Sequence, residues 1–302
     1  MARGRRKGRP ISGILLLDKP LGISSNRALQ NAKQHYQAQK AGHTGSLDPL
    51  ATGMLPICFG EATKISSFLL DSDKSYLTTA TLGTTTSTGD AEGEILKQKP
   101  IPALDENLIE SVLNKYRGRI TQIPPMYSAL KHQGKPLYEF ARQGIEIERK
   151  QREVTIHKLT LLSFTDTTLE LEVDCSKGTY IRTLVEDIGH DLGCGAFVSM
   201  LHRTEVKPFS NSDMLNWETI EAAQDKDLID LLLPVDAGLT QFPEVTLDEK
   251  QTVALLYGQA VNIAVPDAGH IRIYNQDRVF LGMGIPEGDS CLKPKRIMQQ
   301  SL

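Results

Sequence analysis

The chain has 302 residues, of which 40% are hydrophobic and 24% are charged, and a formal net charge of −3. This length and composition predict a globular protein of roughly two domains with a substantial buried core. The longest aliphatic runs, such as residues 14–17, are far shorter than the roughly 20 residues of a membrane-spanning helix, and no secretory apolar segment follows the basic N-terminus, so we expect a cytoplasmic protein without membrane contact.

The first half of the chain predicts single helices between strands. In chain order these elements are a buried strand at 14–17, a helix capped by Ser24 or Ser25, a loop at 42–53, a strand at 55–59, a helix with Ala62, Ile65 and Leu69 on one face, a strand at 75–82 and a polar loop at 84–93. A helix that carries Leu108, Val112 and Tyr116 follows.

The second half predicts a hairpin and then a change of pattern. After an irregular segment at 123–135, the order is a helix at 137–142, two β-rich stretches at 154–164 and 169–175 around a turn at Asp166, a helix at 180–192 and a strand at 196–202. Short strands separated by Gly and Pro begin near residue 250. We expect an α+β fold with a mixed, largely antiparallel central sheet and flanking helices, plus a small β-rich C-terminal module. The predicted domains are 1–248 and 249–302.

The charges are unevenly distributed along the chain, whereas the cysteines and histidines are scattered. Residues 1–40 contain nine Lys or Arg and one acid, whereas residues 213–250 contain ten Asp or Glu and two bases. This asymmetry favours a basic face that attracts phosphates, although a solubilising tail explains residues 3–9 equally well. The four cysteines and seven histidines lack metal-binding spacing, so we predict reduced thiols, partly in the core, and no metal.

The densest group of polar residues and glycines is the segment 42–53. It lacks the Gly-Lys-Ser/Thr ending of a phosphate-binding loop and the Gly-x-Ser-x-Gly pattern of a nucleophile elbow. What remains is one carboxylate, Asp48, which Pro49 pushes toward an extended conformation. Gly45 and Gly53 permit bends on either side. Such a loop can hold a nucleophile still, but an ordinary Asp-Pro turn has the same pattern.

Further motifs accompany this loop in colinear order. They are LDKP at 17–20, GEATK at 60–64, DKSY at 73–76, IPPMYSALK at 123–131, YEFARQG at 138–144, CSKGTYIRTL at 175–184 and GCGA at 193–196. Together they resemble the bacterial TruB-type tRNA pseudouridine synthases, strongly over residues 10–205. Beyond that, the chain resembles the family's PUA-like RNA-binding module only in its rhythm of turns and strands.

The resemblance implies the pseudouridine synthase fold and the isomerisation of uridine to pseudouridine at position 55 in the T-arm loop of tRNA. It implies a monomer that requires neither a cofactor nor a protein partner. The roles that it implies are a catalytic carboxylate at Asp48, an ion-pair partner at Arg182, a stacking platform that assists proton transfer at Tyr76, a wedge that fills the space of the flipped nucleotide at His43, uridine-pocket walls at Tyr180 and Leu201, and a support of the adjoining loop and RNA backbone at Lys19.

The chemistry of this reaction agrees with such residues. The bond from ribose C1′ to uracil N1 breaks, the base turns, and C1′ joins C5, so neither electrons nor phosphates are exchanged. The carboxylate must stay ionised. Asp ionises at about pH 3.9, and a guanidinium within reach lowers its pKa further. Arg suits this role better than Lys, because its planar fork matches a carboxylate in two-point contact. Attack on C6, attack on C1′ and a glycal route are all compatible with one carboxylate.

Two departures and three alternative functions accompany this hypothesis. Ser46 stands where small residues such as Ala or Thr are common in the family, and bases near the C-terminus are few: Lys293, Lys295 and Arg296. The basic N-terminal third also fits a non-catalytic tRNA-folding chaperone. A guide-dependent relative is disfavoured because the chain lacks long basic tails. A glycosidase needs a second carboxyl group about 5 Å from the first, for which Asp90 and Glu61 are candidates.

Overall fold

The computed structural model describes residues 8–224 and 227–299, so residues 3–7 of the predicted basic tail lie outside the described residues. Arg9, the last basic residue of that tail, pairs with Ala38 in an isolated β-bridge. The helices are α1 (Ser25–His35), α2 (Ser66–Leu70), α3 (Glu106–Leu113), α4 (Leu137–Ala141), α5 (Ile181–Asp191), α6 (Trp217–Ala222) and α7 (Glu249–Leu256). The strands of the first half are β1 (Gly13–Lys19), β2 (Ala41–His43), β3 (Ala51–Phe59), β4 (Lys74–Leu82), β5 (Thr84–Thr86), β6 (Ile95–Gln98) and β7 (Gly118–Gln122). The remaining strands are β8 (Lys131–His132), β9 (Lys135–Pro136), β10 (Arg152–Phe164), β11 (Thr168–Cys175), β12 (Ala196–Val206), β13 (Glu244–Leu247), β14 (Val261–Asn262), β15 (Ile271–Asn275), β16 (Phe280–Pro286) and β17 (Cys291–Ile297).

An eight-stranded sheet forms the centre of the molecule. Its strand order is β1-β3-β12-β4-β11-β10-β7, with β2 also paired to β3. Among the strand pairings of this sheet in the described residues, only that of β3 with β12 is parallel. Since β1 pairs with β3 along residues 53–59, the pairings of β2 at 57–59 and of β12 at 51–53 must share the other edge of β3. The loop from β2 to β3 therefore lies at the junction of these strands.

A second, five-stranded sheet has the order β13-β15-β16-β17-β14. One apolar cluster joins it to the central sheet, because Met283 and Met298 are buried in the same cluster as Leu16 of β1 and Met54 of β3. A hydrogen bond of 2.8 Å from Lys64 Nζ to the Ile297 carbonyl crosses the same contact. The predicted boundary at 248/249 stays a prediction, and β13, just before it, pairs within this sheet.

The predicted fold class is confirmed, and several element limits differ from the prediction. The predicted helix over 62–69 is a 3-10 turn at Gly60–Lys64 followed by α2, because Ile65 leaves the helical region with φ −108° and ψ 0°. The predicted loop at 42–53 contains strand residues at both ends, because β2 and β12 pair with β3 there. Likewise β12 continues past His202 to Val206, opposite the start of β4.

The described residues contain no helix that is long and apolar enough to cross a bilayer. The structure also places three of the four cysteines, Cys58, Cys175 and Cys194, in buried positions as free thiols. The prediction that some of the cysteines lie in the core is therefore confirmed.

Candidate active site

Asp48 lies on a loop that hydrogen bonds fix at several points. The Ser25 hydroxyl in α1 donates to the Leu47 carbonyl at 2.9 Å and accepts from the Leu47 amide at 2.7 Å. The Pro49 carbonyl accepts from the Gly22 amide at 2.9 Å, and the Ala51 amide donates to the Asp48 carbonyl at 3.0 Å. The loop is therefore held from both sides of the residue that carries the carboxylate.

Arg182 approaches this carboxylate from the first turn of α5. Its side chain is 5% exposed, and its Nε lies 3.0 Å from Asp48 Oδ2. The two terminal nitrogens donate to backbone carbonyls, Nη1 to Thr88 at 2.8 Å and Nη2 to Tyr127 at 2.7 Å. The guanidinium is therefore divided among Asp48 and two backbone carbonyls.

A second carboxylate, Asp90, shares the same guanidinium. Its Oδ2 lies 3.6 Å from Arg182 Nη1, and its side chain is 4% exposed. The Thr88 hydroxyl and the Glu92 amide donate to Asp90 Oδ1. One buried cation thus stands between two carboxylates.

The pKa of Asp48 is raised rather than lowered, contrary to the sequence-based expectation. Burial within the cleft raises it, Arg182 partly opposes this effect, and Asp90 adds to it. The prediction considered the attraction of the guanidinium and omitted the cost of removing the carboxylate from bulk water. Burial likewise raises the pKa of Glu186, one turn after Arg182 in α5, to about 7.

Tyr76 and Leu201 come from adjacent strands beside the loop. Tyr76 in β4 and Leu201 in β12 are 8% and 7% exposed and belong to one apolar cluster with Leu47. Burial raises the pKa of the Tyr76 phenol, and the nearby guanidinium of Arg203 lowers it. Asp48 is among the charges that act on this phenol, so the structure brings Asp48, Tyr76 and Arg182 into one site.

The remaining predicted residues surround this group less directly. Tyr180 precedes α5, where its amide donates to Gln122 Oε1 at 3.1 Å and the Arg152 guanidinium lies 4.6 Å from its ring centre. His43 ends β2 and is partly buried; burial lowers its pKa, with a further contribution from Arg203.

Lys19 is fully buried, and its Nζ donates to the Pro20 and Ile23 carbonyls at 2.8 and 2.7 Å. Burial lowers its pKa to about 8, while the charge of Asp48 raises it. In this geometry Lys19 holds the loop after β1, and an effect on RNA would pass through that loop.

Sequence reasoning did not place Asp90 or Arg203 in the site. Asp90 entered only as a candidate second carboxylate of a glycosidase, because a Gly-Asp pair in a polar loop is an ordinary turn. Glu61, the other candidate, is paired with Lys64 on the 3-10 turn. Arg203 lay just beyond the predicted end of a strand at His202. The sequence signal that could have identified it is a charged residue directly after an apolar strand.

Three family models match consecutive parts of the chain. They are TruB family pseudouridylate synthase (N terminal domain) over residues 33–181, tRNA pseudouridylate synthase B C-terminal domain over 182–240, and Pseudouridine synthase II TruB, C-terminal, over 243–298. The chain is also 50% identical over 303 residues, covering 98% of both chains, to tRNA pseudouridine synthase B of Marinomonas sp.. The chain belongs to the TruB family of tRNA pseudouridine synthases. Other TruB-family relatives are those of Mannheimia succiniciproducens, 50% identical with 99% of each chain covered, and Pasteurella multocida, 48% identical with 100% covered.

Solved structures show the same fold. A Cbf5-Nop10-Gar1 complex aligns with a TM-score of 0.73 at 22% identity and covers 94% of this chain and 84% of that chain. An H/ACA RNP bound to a substrate RNA containing 2′-deoxyuridine aligns with a TM-score of 0.72 at 19% identity and covers 99% and 92%. At these identities the likeness concerns the fold alone. The TruB membership predicted from the sequence motifs is confirmed, and the chain is an isomerase.

Proposed function

We propose that this TruB-family enzyme isomerises the uridine at position 55 in the T-arm loop of tRNA to pseudouridine, with Asp48 as the essential carboxylate. The observation that carries the proposal is the contact between a carboxylate on a fixed loop and a buried guanidinium, Nε to Oδ2 at 3.0 Å, next to buried Tyr76. The names of the 48–50% identical relatives state tRNA as the RNA on which those proteins act.

Asp48 supplies the negative charge that the reaction needs near the ribose and base. Its side chain is 41% exposed, whereas that of Arg182 is 5% exposed, so the carboxylate faces open space and the guanidinium stands behind it. Arg182 favours the ionised form against the cost of burial. The glycosidic bond to N1 breaks, the base turns, C1′ bonds to C5, and the C5 proton leaves for solvent.

Tyr76, Leu201 and Tyr180 are proposed to receive the flipped uracil. Extracting a nucleotide from its stack costs a few kcal/mol, and an aromatic platform returns about 1–3 kcal/mol by stacking. His43, at the end of β2, is proposed to fill the space that the nucleotide leaves in the RNA. Lys19 keeps the loop after β1 in place beside the substrate.

The proposal includes action by a monomer in the cytoplasm. One chain supplies Asp48, Tyr76 and Arg182, which supports a monomer. The buried free thiols fit a reducing compartment. Size-exclusion chromatography with light scattering in the presence of tRNA tests the oligomeric state.

Position-resolved mapping of pseudouridine in unmodified tRNA transcripts tests the substrate assignment. The wild-type protein, without added protein or RNA, is expected to modify one T-loop uridine. A transcript with cytidine at position 55 is the matched control and is expected to gain no pseudouridine. Modification at another position, or none in the unaltered transcript, contradicts the proposal.

A further inference from the structure

Arg203 is a buried cation at the centre of the site. It lies on β12 directly opposite Tyr76 of β4 and opposite Gly53 of β3. Only 1% of its surface is exposed, and it ranks first in volume among the fully buried side chains of the described residues. Its position places a guanidinium between the strand that carries Tyr76 and the strand that follows the Asp48 loop.

Its contacts reach each of these parts. Nε donates to the Met54 carbonyl of β3 at 2.7 Å, and Nη2 donates to the Gly45 carbonyl, three residues before Asp48, at 3.1 Å. Tyr76 is its direct cross-strand partner, so the two side chains project from the same face of the sheet, and the charge of the guanidinium acts on the Tyr76 phenol. Within residues 8–224 and 227–299, no carboxylate oxygen lies within 4.0 Å of it.

A buried cation without a counter-ion is costly for stability. An apolar side chain of similar size would avoid that cost if packing were the only requirement. Arg is solely a donor, whereas a phenol both accepts and donates. A guanidinium facing the phenol from the neighbouring strand therefore favours the Tyr76 oxygen as an acceptor and directs the phenol's own proton away from the guanidinium, toward other partners.

We propose that Arg203 is a positioning residue that fixes the Tyr76 hydroxyl and the Asp48 loop in their reacting arrangement. The inference rests on the proposed function, because it assigns a use to the hydroxyl of Tyr76 during isomerisation. Arg203 acts through Tyr76 and through the Gly45 carbonyl, and it makes no contact with the reacting atoms itself.

Lys74 offers a matched comparison on the neighbouring strand. It is also a buried cation, 7% exposed, but its Nζ donates to the carbonyls of Leu69, Leu70 and Ser72 at the end of α2. These contacts close a helix and do not reach Tyr76 or the Asp48 loop. A Lys74→Met variant therefore reports the general cost of removing a buried cation.

The test is a double-mutant cycle on the single-turnover rate of pseudouridine formation in tRNA, with tRNA affinity measured separately by filter binding. The proteins are wild type, Arg203→Met, Arg203→Lys, Tyr76→Phe, the two double variants, and Lys74→Met. Thermal melting defines a temperature at which each variant is folded. If Arg203→Met does not fold, the cycle is completed with Arg203→Lys, which keeps the charge without the planar fork.

Arg203→Met is expected to slow the reaction by about 100-fold, the effect of misplacing a reacting group by roughly 1 Å. The Kd for tRNA is expected to stay within roughly threefold of wild type, because the interaction serves the chemical step. In the Tyr76→Phe background the same substitution is expected to cost at least about tenfold less, since the shared hydroxyl is already absent. Lys74→Met is expected to lower the melting temperature and to keep its rate within about twofold.

Two results overturn the inference while leaving the proposed function intact. One is an active wild-type protein in which the Arg203 substitution slows the reaction by the same factor with Tyr76 and with Phe at position 76. The other is an Arg203 substitution that leaves the single-turnover rate unchanged, whether or not it weakens tRNA binding. A wild-type protein that forms no pseudouridine refutes the proposed function, and the positioning role falls with it.

Discussion

At the scale of single residues, burial and the charge of Arg182 act on the pKa of Asp48 in opposite directions. Burial raises its pKa, Arg182 lowers it, and Asp90 raises it. Since the reaction requires the ionised form, activity is lost as pH falls through this raised pKa. The loss therefore begins at a higher pH than the ordinary value of 3.8 would give.

This balance predicts opposite pH shifts for two substitutions. Arg182→Met removes an attraction, so the acid limb of the single-turnover rate is expected to move to higher pH. Asp90→Asn removes a repulsion, so the limb is expected to move to lower pH. Rates measured from about pH 4.5 to 8.5, each scaled to its own plateau, check the two directions. Limbs that coincide with that of wild type contradict the electrostatic account.

The sequence motifs and the three-dimensional structure identified different parts of the candidate site. The linear motifs were sufficient to name Asp48 and Arg182, which the structure brings to 3.0 Å of one another. They could not give the direction of the Asp48 pKa, because burial is a property of the assembled cleft. Arg203 was missed for the same reason, since its partners come from β3, β4 and the Asp48 loop, far apart in sequence.

At the scale of elements, local sequence signals predicted the helices and strands that begin or end at a capping residue or a turn residue. Ser24 accepts from the Arg27 amide and begins α1, and the hairpin of β10 and β11 turns near Asp166 as its flanking alternation predicts. The first residues of β3 had no such local signal. Ala51, Thr52 and Gly53 are strand residues because β12, about 150 residues later, pairs with them.

Gly53 allows β3 and β12 to approach closely enough for this parallel pairing. Its φ is +97°, and a Cβ there would lie 2.3 Å from the Arg203 carbonyl oxygen. Gly53→Ala is expected to cost more than about 3 kcal/mol of unfolding free energy and to slow catalysis by displacing β12. Urea denaturation and single-turnover rates provide the measurements.

Gly193→Ala is the matched control, because Gly193 has φ +86° with open space around its Cβ position. This substitution is expected to lower the unfolding free energy by only about 1 kcal/mol, because it strains the backbone conformation and creates no clash. Equal losses for the two variants would contradict the close approach of β3 and β12.

At the scale of the whole molecule, the two sheets share an apolar cluster. Met283 of β16 is fully buried in the cluster that contains Leu16 of β1 and Met54 of β3. The chain has a single tryptophan, Trp217, which packs beside α1 in a separate cluster. Trp217 fluorescence therefore reports the catalytic part of the molecule while a substitution is made in the small sheet.

Met283→Ala is expected to destabilise the molecule by roughly 2–5 kcal/mol and to lower the urea midpoint reported by Trp217 as well as that reported by circular dichroism. Met200→Ala, at a position 41% exposed, is the control and is expected to leave both midpoints nearly unchanged. A Trp217 midpoint that is insensitive to Met283→Ala would mean that the two sheets unfold independently.

The central claim concerns the negative charge of one side chain. The most direct test is the single-turnover rate of pseudouridine formation at the T-loop uridine by wild type, Asp48→Asn and Asp166→Asn. Asp166→Asn makes the same isosteric change at an exposed hairpin turn. We expect Asp166→Asn to match wild type and Asp48→Asn to be slower by at least about 10⁴-fold, with tRNA affinity retained. An Asp48→Asn protein that forms pseudouridine at the wild-type rate would contradict the account.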